Sequence, residues 1–241
     1  MRKTSALIFT LIGMIILCGL GTWQVQRLEW KTEIIERLEA QYAQDPAPRL
    51  SGKELKERGH ELMPLAYGRV EGIFDYDREI ALGPKTQGEK IGFHIITPLR
   101  LTDGGTVLVN RGWREAKKET GAKCACNLPR RKIIVTGVAR RPDWNRFTPH
   151  NSPANDQWFR ADIGQIAREK NLDNVAGVIL YAESAEPAFI DTIPQEAKWF
   201  PRNKHLSYAI FWFTMAGILA VISGIFLFTG RGTSGRASGR Q

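Results

Sequence analysis

NKHLSYAIFWFTMAGILAVISGIFLFT, residues 203–229, opens on a polar triplet and carries no charge from Leu206 to Thr229. Those 24 residues would reach about 36 Å as a helix, enough to cross a hydrocarbon core of about 30 Å. His205, Tyr208 and Trp212 stand at its entrance, and spacings of three and four put them on one helical face. A histidine with two amphipathic aromatics at the rim of a span can hold a flat, apolar, metal-containing ligand. The same residues also fit an ordinary interfacial belt.

A second uncharged run, SALIFTLIGMIILCGLGTW at 5–23, is 19 residues long and follows Arg2 and Lys3. It has the flanks of a signal peptide. Gly19 and Gly21 make a poor cleavage site, however, and Leu17 is too bulky for lipid attachment at Cys18, so an uncleaved span is expected. Bases flank both runs on one side, with Arg231, Arg236 and Arg240 following the second. Both termini are therefore expected in the cytoplasm and residues 24–204 outside, although Lys198, Arg202 and Lys204 lie on the outer flank. The expected division is a helix at 1–23, an external domain at 24–204, a helix at 205–229 and a disordered Gly/Ser-rich tail at 230–241.

The charge distribution agrees with anchoring. Of the net +9, only +4 falls on residues 24–204, which hold all 25 acidic residues. A nucleic-acid binder would carry its basic excess on the folded part, so none is expected as a partner; membrane lipid is. Small residues in both runs, including Gly217, Ala220 and Gly224 on one face of the second, offer a close approach for another helix, with the first run as its expected partner.

Between the runs the periodicity changes. WQVQRLEWKTEIIERLEAQYAQ continues the first helix as an amphipathic one up to Asp45-Pro46, and Ser51 with Glu54 forms a capping box for a short helix. From Ala66 alternation takes over: segments 66–76, 78–83, 92–101, 106–113, 132–140, 157–163 and 175–184 read as strands, with a short helix near 164–170. Asp75-Tyr76-Asp77 and Asp103-Gly104-Gly105 suit hairpin turns. About seven strands in meander order predict a mainly antiparallel sandwich or partial barrel with a few helices, hence a membrane-anchored α+β fold.

Three cysteines build no disulfide framework; Cys124 and Cys126 could hold Cu(I), but two thiolates in a basic loop are a thin ligand set. His60, His94 and His150 read as structural or solvated. No Walker loop, dinucleotide fingerprint, nucleophile elbow or His-Glu-x-x-His helix occurs. Catalysis is not expected.

LGTWQVQRLEWK (20–31), GRVEGIFDYDREIALGP (68–84), GFHIITPLRL (92–101), VNRGW (109–113), NSPANDQWFRADI (151–163) and NKHLSYAIFWF (203–213) occur in this order between two apolar runs. Together they resemble the surfeit-locus family of cytochrome c oxidase assembly factors of bacteria and mitochondria. Arg114-Glu115 after VNRGW and the Cys124/Cys126 pair depart from the family pattern. The resemblance implies a non-enzymatic factor that binds haem a and assists its insertion into subunit I, alongside other assembly factors. It implies residence in a bacterial inner membrane with a periplasmic domain, or in the mitochondrial inner membrane. It carries the iron ligand onto His205, with Tyr208 and Trp212 as walls and Arg202 or Lys204 facing the propionates. Arg111, Trp113, Asn151 and Trp158 then stand as a surface for the oxidase partner, against a structural reading as core and turn residues. Two further readings are a protein-only scaffold and Cu(I) delivery through Cys124 and Cys126.

Overall fold

The computed structural model describes residues 2–61, 65–116, 128, 130–194 and 200–229. They divide into two compact units, one of the two ends of the chain (1–36 and 201–241) and one of residues 37–200. The fold is that of a membrane-anchored α+β protein.

In the first unit, α1 (Arg2–Tyr42) and α4 (His205–Thr229) are each long and apolar enough to cross a membrane. Along α1 the side chains shielded from the surroundings recur as Thr10, Gly13, Leu17, Gly21 and Gln24; along α4 as His205, Ala209, Trp212, Ala216, Leu219 and Ser223. Steps of three and four make a seam on each helix, and the two seams meet antiparallel. Gly13 lies against Leu219, and Gly21 leaves room for Phe213, whose ring would come within 2.7 Å of any Cβ there. Ser223 Oγ donates to Thr10 Oγ1 at 3.2 Å.

The glycines that let the two helices approach thus belong to the first helix. Open space surrounds Gly217 and Gly224, so the small-residue face of the second does not pack on the first as expected. Gly13 and Gly21 sit opposite bulky residues, and the second helix fills those notches with Leu219 and Phe213 instead of offering its own.

The second unit begins with the last part of α1, where Leu38 is buried and the Tyr42 ring stacks 3.9 Å from that of Tyr67. Helix α2 (Gly52–Arg58) is capped by Ser51, whose hydroxyl accepts from the Glu54 amide at 3.2 Å. The Glu54 carboxylate turns to Arg58 at 2.8 Å. Six strands follow: β1 (Leu65–Phe74), β2 (Ile80–Gln87), β3 (Lys90–Leu101), β4 (Thr106–Glu115), β5 (Lys132–Arg140) and β6 (Val175–Glu186). Helix α3 (Ile163–Glu169) precedes β6.

The strand order is β1-β5-β6-β4-β3-β2, and a further pairing of Gly72–Phe74 with Leu99–Leu101 joins β1 to β3. Five strands therefore close into a ring, and β2 hangs on the part of β3 that β1 leaves free. Closure removes the edges that an open sheet would expose. The order differs from a meander: β6 inserts between β5 and β4 and runs parallel to β4. That crossover is possible because the long connection from β5 through α3 can return to the start of β4.

Inside the ring, Val70, Leu99, Val107, Val109, Val135, Val178 and Leu180 belong to one buried cluster. A second cluster lies on the opposite face of β3, β4 and β6, where Ile96, Leu108 and Ile179 meet Trp158, Ala161 and Ile166. Strand β4 is covered on both faces, which explains its unbroken burial from Thr106 to Arg114. The expected strand at 157–163 is absent: Gln157 and Trp158 make isolated bridges, and the segment is a coil that seats Trp158. Alternating side chains there reflect one large aromatic turned inward, not a ladder. Asp75-Tyr76-Asp77 leads into a 3-10 turn, Tyr76–Arg78, and the hairpin bend at Asp103-Gly104-Gly105 is present between β3 and β4.

Candidate functional site

His205 begins α4, where its amide meets Asn203 Oδ1 at 3.4 Å. Its ring Nδ1 lies 2.8 Å from Oε1 of Gln24 on α1. Gln24 is a polar side chain in the helix seam and is only 9 % exposed. A carbonyl oxygen can only accept, so Nδ1 is the donor of this contact, and when the ring is neutral its lone pair is then on Nε2. Among the described residues Nε2 has no hydrogen-bond partner.

Further contacts tie the two helices together at this level. Asn203 Nδ2 donates to Thr32 Oγ1 at 3.4 Å, and Lys31 Nζ donates to the Arg202 carbonyl. Gln24, Arg27 and Lys31 recur at spacings of three and four along α1, which places them on one face. Arg27 and Lys31 are near enough to act on the imidazole electrostatically, and the Arg27 guanidinium stacks 3.8 Å over Trp30. On α4, Tyr208 is exposed, whereas Trp212 is half-buried and meets Phe211 edge-on at 5.1 Å. The Arg202 side chain is exposed. The arrangement is an imidazole with one nitrogen held, aromatics on its own helix and cations on the facing helix. Sequence reasoning missed Gln24, Arg27 and Lys31. Their one local signal is their spacing within LGTWQVQRLEWK.

The residues expected to face a partner occupy different surroundings. Arg111 is 1 % exposed. Its guanidinium donates to Asp191 Oδ1 at 2.6 Å, to Glu79 Oε2 at 2.8 Å and, through Nε, to Thr97 Oγ1 at 2.9 Å. Arg114 reaches the same two carboxylates, with Glu79 Oε1 at 2.9 Å, so two cations and two anions close on one another. Burial pushes the Asp191 carboxyl up, but the hydrogen bonds and charges of Arg111 and Arg114 outweigh it and hold it below the usual carboxylate value. The rings of Phe74, Tyr76 and Phe189 surround Arg111 at 5.2–5.7 Å.

Trp113 and Trp158 are also buried, their indole N–H groups donating to the Lys85 carbonyl at 3.2 Å and to Asp156 Oδ1 at 3.1 Å. Asn151 Oδ1 accepts from the Phe159 and Arg160 amides, each at 2.8 Å, and its Nδ2 donates to Arg160 O and Gln165 Oε1. Three of the four are thus enclosed, and the fourth has its polar atoms committed to the loop that seats Trp158. Gly112, between Arg111 and Trp113, has φ +109°. A Cβ there would lie 1.9 Å from the Ile193 carbonyl, so only glycine lets the segment carrying Asp191 cross β4.

A groove of about 920 Å³ beside β2 is lined by Tyr76, Glu79, Phe93, Trp158 and Lys170 among others, with no histidine or cysteine. His94 lies in β3 with Nδ1 3.4 Å from Asn110 Oδ1, and burial holds its pKa below the usual imidazole value despite that hydrogen bond. His60 and His150 are exposed. Cys124 and Cys126 lie outside the described residues, and among those described no group of three metal-binding side chains occurs.

Known proteins match most of the sequence of this chain. The model of the SURF1 family matches residues 11–217. This chain belongs to the SURF1 family. Surfeit locus protein 1 of Homo sapiens is 30% identical over 225 residues, covering 82% of this chain and 69% of that protein. A SURF1-like protein of Monosiga brevicollis is 29% identical over 232 residues, covering 90% and 86%. A SURF1-like protein of Dictyostelium discoideum is 27% identical over 251 residues, covering 86% and 91%. The SURF1 family is one of cytochrome c oxidase assembly factors, and a role in oxidase assembly follows for this member.

Proposed function

We propose that this SURF1-family protein is a carrier of haem a that presents it for insertion into subunit I of a haem-copper oxidase. The observation that carries the reading is the His205–Gln24 pair, in which 2.8 Å separates Nδ1 from the amide oxygen. Histidines that ligate metals commonly donate their second N–H to a carbonyl or carboxylate, which sets the tautomer and the ring direction. The residues fit the ligand on that test: Nε2 is the nitrogen left with a lone pair. Haem a supplies a Lewis-acidic iron, a broad apolar ring with an isoprenoid tail, and two propionates.

His205 would hold the iron. Tyr208 and Trp212 would lie against apolar surface, and Arg27, Lys31 and Arg202 supply cations for carboxylates. A ligand so apolar gains from a carrier whose binding group begins a membrane span, since neither the ring nor the tail is then exposed to bulk water. The reading is non-enzymatic. It places both termini in the cytoplasm and the β unit in the periplasm of a bacterial inner membrane, supported by Arg2 and Lys3 before α1 and Arg231, Arg236 and Arg240 after α4. Subunit I and other assembly factors are the partners this implies.

The test is to purify the full chain from cells that make haem a and record its absorption spectrum. A haem band is expected that His205→Ala removes while circular dichroism stays unchanged. A band of undiminished strength in that variant would remove His205 as the ligand. Labelling of His205→Cys, with the native cysteines replaced, should occur only from the periplasmic side.

A further inference from the structure

We propose that Gln24 is a positioning residue for His205, locking the imidazole as the Nδ1–H tautomer so that Nε2 is presented to iron. This rests on the haem-binding reading above. Gln24 lies 181 positions from His205 in the chain and on the other helix, yet its Oε1 is 2.8 Å from Nδ1. It is 9 % exposed, in a seam otherwise built from apolar, glycine and hydroxyl side chains. A primary amide in such a place costs free energy unless it is hydrogen-bonded, and the imidazole is the partner it has.

The contact acts in three ways. Free histidine favours the opposite tautomer, with the proton on Nε2, where it would block iron; the amide oxygen reverses that preference. It also fixes the rotation of the ring, so that the lone pair points in one direction before a ligand arrives. Finally, an N–H engaged by an acceptor makes the other nitrogen a better donor to metal. The second helix therefore provides the ligating nitrogen and the first determines which nitrogen it is. That division ties binding competence to correct pairing of α1 with α4, and a chain with only one of the two helices in place presents no directed Nε2.

The experiment uses the full chain in lipid nanodiscs, with histidine labelled by ¹⁵N. In haem-free wild type the His205 ring is expected as Nδ1–H; in Gln24→Leu, which keeps volume and removes the acceptor, it should revert to a mixture dominated by Nε2–H. Titrated with haem a, Gln24→Leu should bind about 10–100-fold more weakly than wild type. Gln24→Glu retains an acceptor and should restore both tautomer and affinity. An Nε2–H ring in the wild type would mean that the amide is turned the other way, and would overturn the proposal. So would a Gln24→Leu variant that keeps wild-type tautomer and affinity. Haem binding that survives His205→Ala would instead remove His205 as the iron ligand. A wild type that takes up no haem would sink the carrier reading, and in both cases the haem-free spectra would still decide what Gln24 does.

Discussion

The helix pair and the β unit each enclose a polar contact, and they complete it differently. In the β unit, Arg111 and Arg114 meet Glu79 and Asp191, and Thr97 takes the remaining Arg111 Nε–H. Charge is balanced and the guanidinium of Arg111 is enclosed by carboxylates and aromatic rings. Between α1 and α4, Gln24 engages one nitrogen of His205 and leaves the other uncommitted among the described residues. Two guanidiniums engaged with two carboxylates satisfy one another's charge, so the cluster holds the fold. A half-engaged imidazole keeps a lone pair to offer. The difference separates a closed ion cluster from a half-engaged imidazole, although both contain the kinds of residue that suggest function in a sequence.

The largest effect expected from this contrast is in the β unit. Arg111→Leu leaves two carboxylates facing a single guanidinium and should destabilise that unit by about 3–5 kcal/mol in equilibrium denaturation. A loss below about 1 kcal/mol would show that the cluster is not what holds Asp191 in place. Gly112→Ala comes next. Positive φ and the Ile193 carbonyl together should cost about 1–3 kcal/mol, accompanied by faster amide exchange at Ile193, whose N–H donates to the Trp113 carbonyl at 2.8 Å.

Acid should reveal the same cluster. The Asp191 carboxyl is held below its ordinary value in the folded state, so the stability it contributes is fully present above the unfolded value and is lost as pH falls through the folded one. Asp191→Asn should flatten the acid limb of the stability profile while lowering its plateau. An unchanged acid limb would assign the loss to other carboxylates.

In the helix pair, Gly21→Leu should force Phe213 aside and widen the separation of α1 and α4, read by spin-label distances, with loss of the haem band. The smallest effect is expected from Gly217→Leu and Gly224→Leu, because a side chain at either position meets open space. Distances and haem binding should both remain at wild-type values. A widened pair would mean that this face packs on α1 after all.

Much of the architecture was readable because it is local. Uncharged runs, the Ser51 cap and two-residue alternation each express a backbone geometry within a few residues, so helices α1 to α4 and strands β1 to β6 lie where periodicity places them. At 157–163 alternation misled, since burial of Trp158 from a coil mimics the inward face of a strand. Arg111 misled in the other direction: an arginine inside a strand reads as surface until its partners at positions 79 and 191 are known.

The sequence by itself determined the two membrane-length helices, the β-rich unit between them, the family, and His205 as the residue to watch. These follow from length, periodicity and motif order. Only tertiary structure decided that five strands close with β4 beside β6, that VNRGW supports a buried ion cluster, and that Gln24 engages His205. Such facts depend on contacts between residues tens to hundreds of positions apart, for which no single stretch of chain carries a pattern.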